Sequence, residues 1–298
     1  MQLPTTAVVR VLVDAKRIDA DNWFARPILP ALTPGQPMPG YRGKNMKTIK
    51  TGAWALPACV CLLASTAASA QDQPAERYIY ATYSYCDSSK QERYDEIFEQ
   101  VQKPLLDAAI KDGSINIYSY LGHQTGGQWR RASVHGSNSV QALLDAQKKM
   151  GDQEDANEKN KRLGAEAGAI CPSHDDYIWH AVAGNVGTVG RGGAAFSTYY
   201  VCDQTRESQA DAIVKGMLAP VYDKMVADGK LKSWGWMEHI VGGKYRRLET
   251  FSATDVKSLM EARAALIEVM EDNPGGDLLT AICGDHTDYI WEIKAQAP

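Results

Sequence analysis

From residue 78 onward, apolar and polar positions follow two periods that alternate in a fixed order, and the order occurs twice. Residues 78–86 form a tyrosine-rich, β-favouring run. Ser89-Lys-Gln-Glu92 then has the Ser-x-x-Glu form of a capping box. Behind it Tyr94, Ile97, Phe98, Val101, Leu105 and Ala109 recur at helical spacing. Asp112-Gly113 ends that helix, with glycine free to take the left-handed cap, and Pro104 inside it predicts a kink or a split. Residues 115–123 and 128–135 read as strands joined at Gly126-Gly127, a hairpin turn. A second helical stripe (Val140, Leu143, Leu144) and a closing strand over 177–183 complete the unit. The polar stretch 151–162 between them reads as helix extension or mobile loop. In the second unit the first stripe is Ile213, Val214, Met217, Val221 and Met225, and the second is Val256, Leu259, Met260 and Ile267. A strand over 289–293 closes it.

The recurrence is a duplication. Cys171-Pro-Ser-His174-Asp-Asp176-Tyr-Ile-Trp179 returns as Cys283-Gly-Asp-His286-Thr-Asp288-Tyr-Ile-Trp291. Residues 82–132 align without a gap on 198–248, and the 15 identities, Cys86/Cys202, Pro104/Pro220, His123/His239 and Arg130/Arg246 among them, are too many for coincidence. Two copies of so long a unit predict a domain pair rather than a solenoid. The first repeat spans 76–183, a glycine-rich linker 184–193 and the second repeat 194–294.

Each copy has the order β-α-β-β-α-β, the ferredoxin-like unit of the α+β class. Such a sheet carries helices on one face only, and two copies can cover each other's bare faces. In this the chain resembles the dimeric α+β-barrel proteins, in a tandem, single-chain form. That resemblance implies a protein handling a small molecule between sheet and helices: cofactor-free monooxygenases, haem-degrading oxygenases, chlorite dismutase-like haem proteins, cyclases and isomerases share the fold, as do proteins without catalysis. Haem is a cofactor the resemblance admits; the residues themselves require none.

Composition adds an address. Residues 46–50 are a short basic start, residues 53–64 an apolar run, and Ala68-Ser69-Ala70 a small-x-small cleavage pattern, so 46–70 reads as a secretory signal peptide. Residues 1–45 then read as a misassigned start or a disordered extension. Beyond residue 70 there remain 24 basic and 33 acidic residues, a net charge of about −9, which repels phosphate backbones and anionic lipid. The expected location is periplasmic or secreted, with no nucleic acid or, after cleavage, membrane as partner, and the protein a monomer or homodimer. In the ferredoxin-like topology the first strand ends beside the start of the fourth, which predicts Cys86–Cys171 and Cys202–Cys283 disulfides in an oxidising compartment. Cys171-x-x-His174 also has the spacing of a Cys/His metal site.

Candidate chemistry gathers at the same end. Across a two-residue turn His123 pairs with Arg130, and His239 with Arg246. That face continues through Leu121/Ala132 and Ser119/Val134, and is expected to look toward the helices. Tyr118, Tyr120, Trp129, Trp234, Trp236 and Tyr245 are expected between the two sheets. His174 (His286 in the second copy) starts the fourth strand at this end, so His123, Arg130, His174 and Asp87 are expected in one small volume. There a neutral imidazole serves as general base and an arginine holds an oxyanion. Asp95 and Asp107 read as solvated. The expected function is an exported, His-assisted enzyme of monooxygenase or isomerase type acting on a small apolar or aromatic molecule. The alternative is a non-catalytic envelope protein that binds a ligand or a partner.

Overall fold

The structure, a computed structural model, describes residues 77–185 and 190–298. The leader read at 46–70 and the segment before it lie outside the described residues, as does the middle of the linker. The first half contains β1 (Tyr78–Tyr85), α1 (Gln91–Ile97), α2 (Lys103–Lys111), β2 (Ile117–Gly126), β3 (Arg131–Ser137), α3 (Val140–Asp155), α4 (Glu158–Ile170) and β4 (Ser173–Gly184). The second repeats it: β5 (Ala194–Val201), α5 (Glu207–Ile213), α6 (Ala219–Ala227), β6 (Ser233–Val241), β7 (Arg247–Ala253), α7 (Val256–Glu271), α8 (Pro274–Thr280) and β8 (Asp285–Ala297).

Each half is an antiparallel sheet, ordered β4-β1-β3-β2 and β6-β7-β5-β8, and the two close into one eight-stranded barrel through β2–β8 and β4–β6. The closing strands run further than the apolar pattern suggests because their ends pair across this seam: Ala295 and Ala297 of β8 lie opposite Tyr120 and Tyr118. At the other end Tyr85 pairs with Ser173 and Val201 with Asp285. That register brings the cysteines together, and Cys86–Cys171 and Cys202–Cys283 are disulfide-bonded. The Cys/His metal alternative falls with this, since Cys171 has no free thiolate to offer.

The strand register agrees with the sequence pattern, and Trp129 and Tyr245 lie between the sheets as expected, but along the rest of the hairpins the faces are exchanged. Ile117, Leu121 and Ala132 point into the barrel, where they join Tyr83, Trp129, Tyr177, Trp179, Tyr199, Tyr245, Tyr289 and Trp291. An eight-stranded barrel is just wide enough to be filled by side chains, and here aromatic rings fill it. Tyr118 and Tyr120 instead face the helices, with Phe98 stacked on Tyr120 at 3.7 Å. The reason is polar. Tyr118 donates to Asp107 (2.6 Å), Tyr120 to Asp95 (2.5 Å), and Trp234 and Trp236 to Asp223 and Asp211 (2.8 Å each). Asp95, 20% exposed, is therefore an anchor between helix and sheet rather than a solvated residue, while Asp107 accepts from Tyr118 and yet stays on the solvated face expected of it, 47% exposed. Arg131, 5% exposed, completes the layer with a bidentate pair to Asp95, and Arg247 pairs with Asp211 in the same way.

Three local readings also gain detail. Asp87, not Ser89, caps the first helical turn, its carboxylate accepting from the Ser89 N–H and hydroxyl; Asp203 accepts from Thr205 likewise. The helices of Pro104 and Pro220 are each in two α pieces that stay continuous through a π turn, and each proline sits in the first turn of the second α piece. Each follows a π-helical turn, Phe98–Gln102 or Val214–Leu218, which accommodates the missing N–H and the bulk of the ring. The 151–162 stretch is helical on both sides of a break that Asn157 caps.

Candidate functional site

Strand alternation separates the retained motif into two roles. Ser84 lies opposite His174, and Thr82 opposite Asp176, so these side chains share the helix-facing side of the sheet. Tyr177 and Trp179, at the other parity, stack in the barrel with centroids 4.9 Å apart, as do Tyr289 and Trp291 at 4.8 Å. His174 and Asp176 pair at 3.2 Å at the rim of a cleft between the first sheet and its helices. His286 and Asp288 sit at the rim of the matching cavity in the second half, 3.8 Å apart.

His123 and Arg130 are brought together, as are His239 and Arg246, but on the barrel side. Arg130 Nη1 lies 2.9 Å from His123 Nε2, and Arg246 Nη1 2.8 Å from His239 Nδ1. Each imidazole presents its face or edge to rings of the opposite half: His123 to Tyr289 and Trp291, His239 to Tyr177 and Trp179. Burial first, then the neighbouring guanidinium, lowers both imidazole pKa values, so both are neutral at pH 7. The glycine pairs of the hairpins fit the same seam. Gly126 and Gly242 have positive φ, and a Cβ on Gly242 would collide with the Tyr177 ring. The four groups expected in one volume are thus divided: His174 is across the sheet from His123 and Arg130, and Asp87 is occupied with its cap.

The deepest chemistry lies in the second half, on a residue the sequence reading passed over. A cavity of about 350 Å³ opens between the sheet and α6, α7 and α8, walled by Leu218, Leu259, Leu266 and Leu279. On its sheet side is Glu249, 6% exposed. Tyr222 donates to one carboxylate oxygen at 2.8 Å and Tyr200 to the other at 3.1 Å. Burial raises the Glu249 pKa to about 7; the two tyrosine hydroxyls oppose the shift and the Asp288 charge adds to it. Arg263 also lines the cavity, with its guanidinium over the Phe196 ring at 5.0 Å. Glu249 left no duplication signal, because Ser133 occupies its place in the first half. What the sequence did offer was an acid in the middle of an otherwise interior strand, Leu248-Glu249-Thr250-Phe251.

No protein-family model matches the chain, and no curated protein matches it. In structure it is similar to a candidate monooxygenase from Lactobacillus acidophilus NCFM, with TM-score 0.52 and 7% identity over 74% of this chain and 95% of that one. It is similar in the same degree to a candidate monooxygenase from Fusobacterium nucleatum subsp. nucleatum, with TM-score 0.52 and 9% identity over 74% and 94%. A mutant chlorite dismutase from Candidatus Nitrospira defluvii also matches, with TM-score 0.48 and 9% identity over 74% and 91%. The chain has the dimeric α+β-barrel fold, with both ferredoxin-like units in one polypeptide.

The resemblance read from the sequence admits haem, and the clefts can be tested for an axial ligand. The imidazole lining the second-half cavity is His286, at the rim, 47% exposed and facing Asp288. In the first half His174 is 53% exposed and paired with Asp176, and His135 is stacked on Tyr80. The sheet side of the larger cavity presents a carboxyl rather than an imidazole. In the first-half cleft Glu154 and Asp176, with no lysine or arginine in the lining, would meet the haem propionates as like charges, so neither cleft fits haem.

Proposed function

We propose that this protein is an exported small-molecule enzyme that holds a largely apolar or aromatic substrate in the second-half cavity and moves a proton with Glu249. The observation that carries the reading is a buried carboxyl on two tyrosine hydroxyls, set in a cavity with leucine walls. A carboxyl with pKa near 7 has both proton-bearing and proton-accepting forms at neutral pH, the condition for efficient acid–base work. The cavity volume falls within the range of small-ligand sites, and its few polar groups converge on one side. Tyr200 and Tyr222 hold the carboxyl in place, and the His286–Asp288 pair at the rim relays the proton to solvent. His123, Arg130, His239 and Arg246 then lock the barrel seam, and His174 belongs to the other cleft. Export is supported by the leader sequence and by two disulfides, which persist in oxidising compartments. Among the described residues no helix is long and apolar enough to cross a membrane.

The test is deuterium exchange. Small aromatic ketones and phenols that bind the purified protein, found by native mass spectrometry, are incubated with it in D2O, and label entering carbon is followed. Glu249→Gln is expected to retain binding and to lower exchange by about 100-fold or more. Ligands that bind without exchange in the parent protein would instead make it a carrier.

A further inference from the structure

The first-half cleft is built from different side chains than its sister, and the differences change both its polarity and its balance of charge. The two helices α3 and α7 align without a gap, as do β3 and β7, so each position has a counterpart. Where the second half has Glu249, Phe251, Arg263, Ile267 and Met270, the first has Ser133, His135, Gln147, Gly151 and Glu154. Phe251 and Ile267 of the apolar wall are lost, although Leu105, Leu106 and Met150 keep part of one; the arginine becomes an amide, and in place of the sister's buried carboxyl there is one at the rim, Glu154. The resulting cleft, of about 280 Å³, has no lysine or arginine in its lining.

An inventory of its polar groups says what it lacks. Glu154 and Asp176 are carboxylates that only accept hydrogen bonds. Asp176 is supplied by the Thr82 hydroxyl at 2.8 Å and by His174. Burial, and then the charge of Asp155, raises the Glu154 pKa, as expected of a carboxylate without a counter-ion. Deeper in, His135 is 4% exposed and its Nε2 has no hydrogen-bond partner. Burial pushes its pKa to about 4, so it is a neutral imidazole and adds no positive charge. It stacks on Tyr80 at 5.4 Å, and Tyr94 also lines the cleft, which makes π-faces available. Two carboxylates, an unpartnered buried imidazole and aromatic rings, with no fixed cation among them, select a ligand that brings positive charge and N–H donors. The ring faces of Tyr80 and Tyr94 beside those carboxylates favour an organic cation.

We infer that the first-half cleft is a second binding site, for a protonated organic amine, distinct in chemistry from the apolar cavity of the second half. The inference does not depend on the proton-transfer reading, since the two clefts share no residue.

Benzylamine and its neutral isostere benzyl alcohol are the probes, titrated calorimetrically into the intact protein at pH 7. Two variants direct the test to this cleft. A Cβ at Gly151 meets nothing within 4 Å, so Gly151→Ile is accommodated and places in this cleft the side chain its sister has. Glu154→Gln removes the rim charge alone. The expected result is one-to-one binding of benzylamine, at least about tenfold tighter than benzyl alcohol and weakened about tenfold or more by each variant, where tenfold is 1.4 kcal/mol. Equal affinity for the two probes, benzylamine binding untouched by both variants, or no benzylamine binding would each overturn the inference. A variant of the second-half cavity, Glu249→Gln, is expected to leave benzylamine affinity unchanged.

Discussion

Replacing Glu249 by Gln is expected to make the protein more stable above pH 7, although it removes a buried, hydrogen-bonded group. The folded carboxyl titrates near 7 and the unfolded one near 4.5. Between those values the native state binds more protons than the unfolded state, so stability falls as pH rises through the window. Each pKa unit is worth 1.36 kcal/mol, so the loss is about 3 kcal/mol once both forms are ionised. Gln keeps the shape and never ionises. Its amide N–H₂ must replace one oxygen that accepted a tyrosine hydroxyl, which that hydroxyl can answer by accepting instead, at a cost of about 1 kcal/mol. The variant is therefore expected to be about 1 kcal/mol less stable than the parent near pH 4 and about 2 kcal/mol more stable at pH 8–9. For a folded region of this size that is about 4–8 °C in Tm at the alkaline end. Urea unfolding of both proteins from pH 4 to 9, with disulfides intact, reads the difference free of every other titrating group they share. A difference that stays flat across pH, or a variant less stable throughout, would refute a buried, proton-holding Glu249 and with it the acid–base reading.

The remaining expectations use the same kind of measurement. His135 is held neutral, its pKa near 4 against an ordinary 6.5, so the native state resists protonation and stability is lost as pH falls from 6.5 toward 4. His135→Phe, which copies Phe251, should gain about 2 kcal/mol relative to the parent between pH 8 and pH 5 in the same assay. Asp95→Ala strands Arg131 and the Tyr120 hydroxyl in the helix–sheet layer and should cost about 3–5 kcal/mol of unfolding free energy in urea titration, well beyond a surface pair. Peptide mapping under non-reducing conditions should give Cys86–Cys171 and Cys202–Cys283; losing either, by paired Cys→Ser changes, should lower stability by up to about 4 kcal/mol. His123→Ala with His239→Ala should lower Tm by several degrees while leaving Glu249-dependent exchange in place, at about 1–3 kcal/mol for each site.

The architecture was legible because duplication makes a chain its own comparison. Element order, hairpin register and disulfide partners all follow from local signals that occur twice. The facing of the strands did not follow, and the reason is physical. In a sheet buried on both sides, period-two alternation distinguishes one apolar face from another only by detail. Ile117, Leu121 and Ala132 look as much like a helix-facing surface as a barrel lining. The deciding detail was in the helices: Asp95/Asp211 and Asp107/Asp223 are identical in both halves, and a retained acid within reach of a tyrosine hydroxyl or indole N–H is an anchor. With those pairs assigned, Tyr118 and Trp234 must face outward, and the His–Arg pairs must face in.

The same logic explains why the candidate chemistry was hidden. A residue common to both halves is under a demand both halves share, and what they share is the barrel: the seam imidazoles, the Tyr-x-Trp rings, the hairpin glycines and the cystines at the end of each sheet. The seam rings and hairpin glycines serve barrel closure on both sides, so most of the identity between the copies marks the scaffold; the His174–Asp176 and His286–Asp288 pairs at the cleft rims are the exception. The clefts face away from each other, each roofed by its own helices, and nothing in barrel closure constrains them to match. They are the regions a duplicated chain can alter independently. Glu249 against Ser133, Phe251 against His135 and Arg263 against Gln147 show that they have been altered, and in opposite senses, one toward an apolar cavity with a single buried acid and the other toward an acidic, arginine-free cleft. In a protein of this construction, function is therefore to be sought where the two halves disagree.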